Sequence, residues 1–148
     1  MTIFFLASVR GGRGQQPRYE AIVRELGSYG TVLSSHVANE ELSRFGETDM
    51  ANGTIREREL AALAKADIVV AEVTTPSLGV GYLIARATST GKRVVALYRG
   101  KDTLRLSAII AGDPHVEIHT YENDEDAENI LMALFSGATS EPGAGSTK

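Results

Sequence analysis

The sequence predicts an α/β domain: a doubly wound, mainly parallel five-stranded sheet with helices on both faces, of the Rossmann or flavodoxin-like kind. Three observations carry this prediction. Short apolar runs recur at residues 2–8, 31–33, 68–71, 94–97 and 116–119. Most of the intervening stretches space their apolar residues three and four apart, as helices do. The connections are short, as expected when parallel strands are joined by right-handed helical crossovers.

Residues 2–8 (TIFFLAS) form an uninterrupted apolar run, the mark of a strand buried on both faces. The run leads into Arg10-Gly11-Gly12-Arg13-Gly14, where glycine permits a tight turn. Tyr19, Ile22, Val23 and Leu26 keep helical spacing, with Gly27 and Gly30 as stops. A short second strand follows at 31–33, and residues 39–53 are polar and irregular, long enough for a functional loop or a partly helical lid. Thr54 and Glu57 match a capping box, which starts the next helix at Ile55 and carries it to Lys65.

Ile68-Val69-Val70-Ala71 makes a central strand. After the turn-rich Thr74-Thr75-Pro76-Ser77-Leu78-Gly79-Val80-Gly81, apolar Val80, Leu83, Ile84 and Ala87 define a helix closed by Gly91. Strands at 94–97 and 116–119 and a helix at 127–135, apolar at Ile130, Leu131, Leu134 and Phe135, complete the pattern. A single domain is expected over residues 1–136, because 148 residues suit one core. Residues 137–148, rich in Gly, Ser, Thr and Pro, are expected to be a disordered tail.

Composition narrows the function classes. A formal charge of -4 gives no broad basic field, which argues against nucleic acid as a partner. No apolar run approaches a membrane span and no signal-peptide pattern follows Met1, so no membrane association and a cytoplasmic location are expected. The absence of cysteine excludes disulfides and thiolate zinc sites and is compatible with a reducing compartment.

In an open α/β sheet a ligand sits beyond the carboxyl ends of the strands. Two loops qualify. Residues 8–14 offer amides, the Ser8 hydroxyl and the guanidinium groups of Arg10 and Arg13, although the segment fits neither dinucleotide nor P-loop fingerprint and also reads as a plain turn. Residues 77–81 follow a buried strand and open a helix, so loop amides and the Ser77 hydroxyl would converge on an anion, with Gly79 and Gly81 allowing close approach. Chain reversal alone would also explain that turn. His36 is either a polar loop residue or a contact to a base or sugar; Glu72 is a carboxylate at a strand end or a turn cap; Glu59 reads first as a solvated helix charge.

The segment from Ala66 to Tyr82 (ADIVVAEVTTPSLGVGY) resembles the signature of the 2'-deoxynucleoside 5'-phosphate N-hydrolases, relatives of the nucleoside 2-deoxyribosyltransferases. Ser8-Val9-Arg10-Gly11-Gly12-Arg13, Tyr19 with Ile22-Val23, Gly30-Thr31-Val32-Leu33 leading to His36-Val37, and Leu106-Ser107-Ala108 extend the likeness over most of residues 1–135. The resemblance implies a homodimer that hydrolyses the N-glycosidic bond of a deoxynucleoside monophosphate, without metal or other cofactor. It also implies a phosphate site at Ser77 and Gly79, with Ser107 and its neighbour Ala108 contributed across the dimer. Ala7, Ser8, Val9, Arg10, Gly11, Gly12 and Arg13, together with Ile22 and His36, would border the sugar and base.

The family's nucleophile is a glutamate directly after the tyrosine of its Gly-Tyr pair, and here that position is Leu83. Leucine can neither attack carbon nor stabilise an oxocarbenium-like sugar. The family's supporting aspartate corresponds to Glu59, one methylene longer, and its first-strand tyrosine to Phe4, which lacks the hydroxyl. These three departures beside a preserved phosphate motif imply retained binding with impaired or altered catalysis, by a pseudoenzyme or an engineered variant if not by a divergent hydrolase. Leu83 also satisfies the apolar helical pattern on its own.

Overall fold

The computed structural model describes residues 1–9, 15–39 and 47–139. Five strands, β1 (Thr2–Leu6), β2 (Thr31–Leu33), β3 (Ile68–Glu72), β4 (Arg93–Arg99) and β5 (Val116–Tyr121), form one sheet in the order β2-β1-β3-β4-β5. Every pairing is parallel, with Phe4 opposite Val69 and Val70 opposite Val95 in the central registers. All five residues of β3 are buried, which is why its run shows no polar alternation.

The helices α1 (Gln16–Gly27) and α5 (Asp124–Phe135) close one face. Phe5, Val70 and Leu97 pack there with Tyr19, Leu26, Leu131 and Phe135. On the other face α2 (Asn52–Lys65) and α3 (Leu78–Ser89) cover Phe4, Leu6, Val69 and Ala71. The chain first winds outward from β1 to β2, then crosses back to β3 and winds the opposite way. β1 and β3 are therefore the topological switch point, where such sheets open a crevice at their carboxyl ends.

Several local details depart from the sequence reading. α1 begins at Gln16, three residues early, because Pro17 suits the first turn and the Gln16 amide donates to the Ala38 carbonyl at 2.6 Å. α2 begins at Asn52 after an extended Ala51 that provides no side-chain cap, so Thr54 lies inside the helix and the expected capping box does not form. A short 3-10 turn, Ser35–Ala38, follows β2. It is entered through Ser34 at φ 60°, the left-handed region a non-glycine residue adopts at a cost.

Gly91, at φ 74°, closes α3 as expected of a glycine stop. A four-residue helix, α4 (Ala108–Ala111), precedes β5, and the strand itself runs on to Tyr121. α5 is capped by Asn123, which accepts the Asp126 N–H at 2.9 Å, with three acidic residues in its first turn favouring the positive end of the helix dipole. A final 3-10 turn spans Ser136–Thr139, and the remainder of the expected tail, 140–148, lies outside the described residues.

Candidate functional site

A cavity of about 600 Å³ opens at the switch point, a volume in the range that encloses small organic ligands. Leu6, Ala7 and Val9 reach it from β1 and its extension. α3 contributes Gly79, Val80, Tyr82 and Leu83 behind its cap residue Ser77, and α2 contributes Asn52, Ile55, Arg56, Glu59 and Leu60. Asn52, Ile55, Arg56, Glu59 and Leu60 recur at steps of three and four along one stripe, and Arg58 reaches the cavity from beside it.

Ser77 is the N-cap of α3, and its Oγ accepts the Val80 N–H at 3.3 Å. The hydroxyl therefore binds its own helix as well as offering a proton outward. Leu78 and Gly79 border the cavity in a first turn whose N–H groups have no intrahelical acceptor, and no acidic residue stands in that turn. A Cβ built on Gly79 would come no nearer to the protein than 3.9 Å, to Ser77 Oγ. Packing leaves that space open, so an incoming group can approach the backbone there. Across the cavity Arg56 makes a long 3.4 Å bond to the Tyr82 hydroxyl and has no carboxylate partner among the described residues.

A polar knot occupies the other part of the cavity. Arg58 donates to both carboxylate oxygens of Glu47, at 2.7 and 2.5 Å, and to Glu59 Oε1 at 2.7 and 2.9 Å. Glu59 Oε2 accepts the Ser34 hydroxyl at 2.7 Å, which gives the left-handed Ser34 a structural purpose. Arg58 can only donate, so its 3.0 Å contact with His36 Nε2 requires that nitrogen to accept, placing the proton of a neutral ring on Nδ1. The Arg58 hydrogen bond holds the Glu47 carboxyl below its ordinary range, while the two carboxylates keep the guanidinium firmly charged.

The expected site residues separate into distinct groups. Ala7, Val9, His36, Glu59, Ser77, Gly79 and Leu83 meet at the cavity. Leu83 is half-buried, packing on the cluster that encloses Phe4 while still reaching the opening. Phe4 itself is wholly enclosed and does not line the cavity. Ile22 is core on α1, under the opposite face of the sheet. Ser8 is buried beside the opening, and Ser107 and Ala108 are exposed at the start of α4, away from the cavity of their own chain. Arg10, Gly11, Gly12 and Arg13 lie outside the described residues.

Sequence reasoning missed Arg56, Arg58, Glu47 and Tyr82. The α2 stripe was the available signal, although nothing in the sequence says that this helix stands over the crevice. Among the described residues no group of His, Asp and Glu is arranged to hold a metal ion, and no helix is long and apolar enough to cross a membrane.

Switch-point topology, a helix amino terminus free of acidic residues and a cavity of ligand size at the strand ends define a doubly wound α/β domain. The CMP N-glycosidase of Clostridium botulinum has this fold: the structures match with a TM-score of 0.69 over 90% of this chain and 99% of that one, at 18% identity. No protein-family model matches the chain.

Curated relatives are far closer in sequence. The 5-hydroxymethyl-dUMP N-hydrolase of Danio rerio is 42% identical over 94% of this chain and 99% of its own length. The human protein of the same name is 44% identical over 90% of this chain and 78% of its own. The chain belongs to this family, the 2'-deoxynucleoside 5'-phosphate N-hydrolases.

Proposed function

We propose that this protein binds a 2'-deoxynucleoside 5'-monophosphate in the cavity and hydrolyses its N-glycosidic bond, releasing free base and deoxyribose 5-phosphate. The observation that carries this reading is the α3 amino terminus, with Ser77 and Gly79, opening onto a cavity that α2 lines with a carboxylate, Glu59. A phosphate dianion suits loop amides, the Ser77 hydroxyl and the dipole of α3, with the Arg56 guanidinium as counter-charge. The sugar and base would then lie toward Ala7, Val9 and His36. A 5-hydroxymethyl-uracil base is the substrate that the names of the relatives favour.

In the chemistry that the family resemblance implies, positive charge develops on the sugar as the base departs, and a carboxylate beside it lowers the barrier. With leucine at position 83 no covalent sugar adduct can form there. Hydrolysis would proceed by water adding directly to the anomeric carbon as the C–N bond breaks, with Glu59 stabilising the charge and taking the water's proton, and the base leaving with the bond's electron pair to be protonated by solvent. Incubation with deoxynucleoside monophosphates, with chromatography for free base, tests this: Glu59→Gln is expected to lower the rate at least tenfold, and an unchanged rate removes Glu59 from the chemistry.

A specific observation favours a second reading, nucleotide binding with little turnover. Leu83 reaches the cavity where the family carries its glutamate, and among the described residues both cavity carboxylates, Glu47 and Glu59, are already bound to Arg58. Thermal stabilisation by the nucleotide without base release would establish it.

The homodimer expectation has support on the surface. Leu78, Leu104 and Ile109 are 97%, 87% and 82% exposed. Leu78 follows β3, and Leu104 and Ile109 follow the adjacent β4, before and after Ser107 in the chain. A two-fold partner seated on these side chains would carry its Ser107 and Ala108 toward the neighbouring phosphate site, and sedimentation velocity would reveal a species of twice the chain mass. The lack of cysteine fits a cytoplasmic setting.

A further inference from the structure

At the same carboxyl end of the sheet, on the face covered by α1 and α5, the chain buries a carboxyl group that the cavity does not touch. Glu72, the last residue of β3, is fully enclosed, and burial pushes its pKa upward. Its Oε1 accepts the Tyr121 hydroxyl at 2.9 Å and also the Thr74 hydroxyl, while Oε2 has no partner among the described residues. Such a group is costly to enclose compared with an apolar side chain of similar size.

What Glu72 holds is the exit of the chain from β3. Thr74 Oγ1 donates to Glu72 and accepts the Arg99 N–H at 2.8 Å. The Val73 N–H already donates to the Leu97 carbonyl at 2.9 Å, so Thr74 carries the β3–β4 ladder past the strand end with a side chain standing in for backbone. Ser77 follows only three residues later, across Pro76, whose ring restricts φ. The direction in which Thr74 leaves the sheet therefore sets where the first turn of α3 presents its amides.

We propose that Glu72, Thr74 and Tyr121 form a positioning relay for the phosphate-binding turn, acting from the opposite face of the sheet. Glu72 and Tyr121 would touch no substrate and would act only through Thr74. The inference rests on the phosphate reading given above.

Calorimetric titration of the full chain with 5-hydroxymethyl-dUMP and with its nucleoside, 5-hydroxymethyl-2'-deoxyuridine, separates the possibilities. The parent chain is expected to bind the nucleotide more tightly than the nucleoside. Thr74→Val keeps shape but removes both hydrogen bonds, and should weaken the nucleotide about tenfold while leaving the nucleoside within about twofold. Glu72→Gln keeps an acceptor for both hydroxyls and should bind the nucleotide almost as the parent does. Parental nucleotide affinity in Thr74→Val, or equal loss of both ligands, overturns the relay alone. A parent chain indifferent to the phosphate overturns the phosphate site and the relay together.

Discussion

Two helices of similar length treat the two faces of the sheet differently. α1, with 12 residues, buries Gln16, Tyr19, Ala21, Ile22 and Leu26, whereas α2, with 14 residues, buries Leu63 alone. The α1 face is filled to its edge, with Tyr19 meeting Phe5 edge-on at 6.2 Å and Tyr29 stacked on Phe135 at 5.1 Å. α2 leaves Ile55, Glu59 and Leu60 half-buried over the cavity instead. One face contributes stability through close packing, while the other gives up part of its burial over an open cavity.

The largest expected effect on this contrast comes from restoring a carboxylate on the open face. Leu83→Glu should raise base release by at least about a hundredfold, since loss of a catalytic nucleophile commonly costs several orders of magnitude. Chromatographic assay of the free base checks it, and no gain would assign the deficit to Phe4 and Glu59. On the filled face Phe135→Ala should cost about 3–5 kcal/mol in denaturant unfolding, because the vacated space cannot collapse. A loss below about 1 kcal/mol would mean that this face is less tightly packed than its contacts suggest.

Arg58→Ala sharpens the comparison through pH. The Arg58 hydrogen bond lowers the Glu47 pKa, so the stability from this pairing is present above the unfolded carboxylate value and is lost as pH falls through the depressed one. The variant should therefore be less stable at neutral pH by about 1 kcal/mol, a modest figure because both groups remain partly solvated. The deficit should shrink on acidification, as measured by unfolding midpoints at several pH values.

The smallest effect on stability, and the cleanest separation from function, lies in two glycines of α3. Neither Gly79 nor Gly81 has a protein atom within 3.4 Å of where a Cβ would stand, so alanine at either should stabilise the helix by about 0.5–1 kcal/mol. Only Gly79 borders the cavity. Gly79→Ala should then weaken nucleotide binding while Gly81→Ala leaves it intact, and equal affinities would move the phosphate away from this turn.

Much of this arrangement was legible in the sequence. The apolar runs mark the strands because parallel strands are buried on both faces, and residues 77–81 were readable as a turn opening a helix because they stand between a buried strand and an apolar helical stripe. The start of α2 was not, since Thr54 and Glu57 fit a capping box that the helix bypasses by beginning at Asn52. Nor were the Ser34–Glu59 hydrogen bond and the Arg58–Glu47 ion pair, because they join residues 25 and 11 positions apart in the chain.

Local periodicity and turn chemistry, both short-range properties, determined from sequence alone that this chain would be an α/β protein with a turn opening a helix after its third strand. Tertiary structure decided which helix stands over the opening and which charges neutralise one another. It also decided that Glu72 faces away from the cavity, because these are relations between residues far apart in the chain that no local pattern encodes.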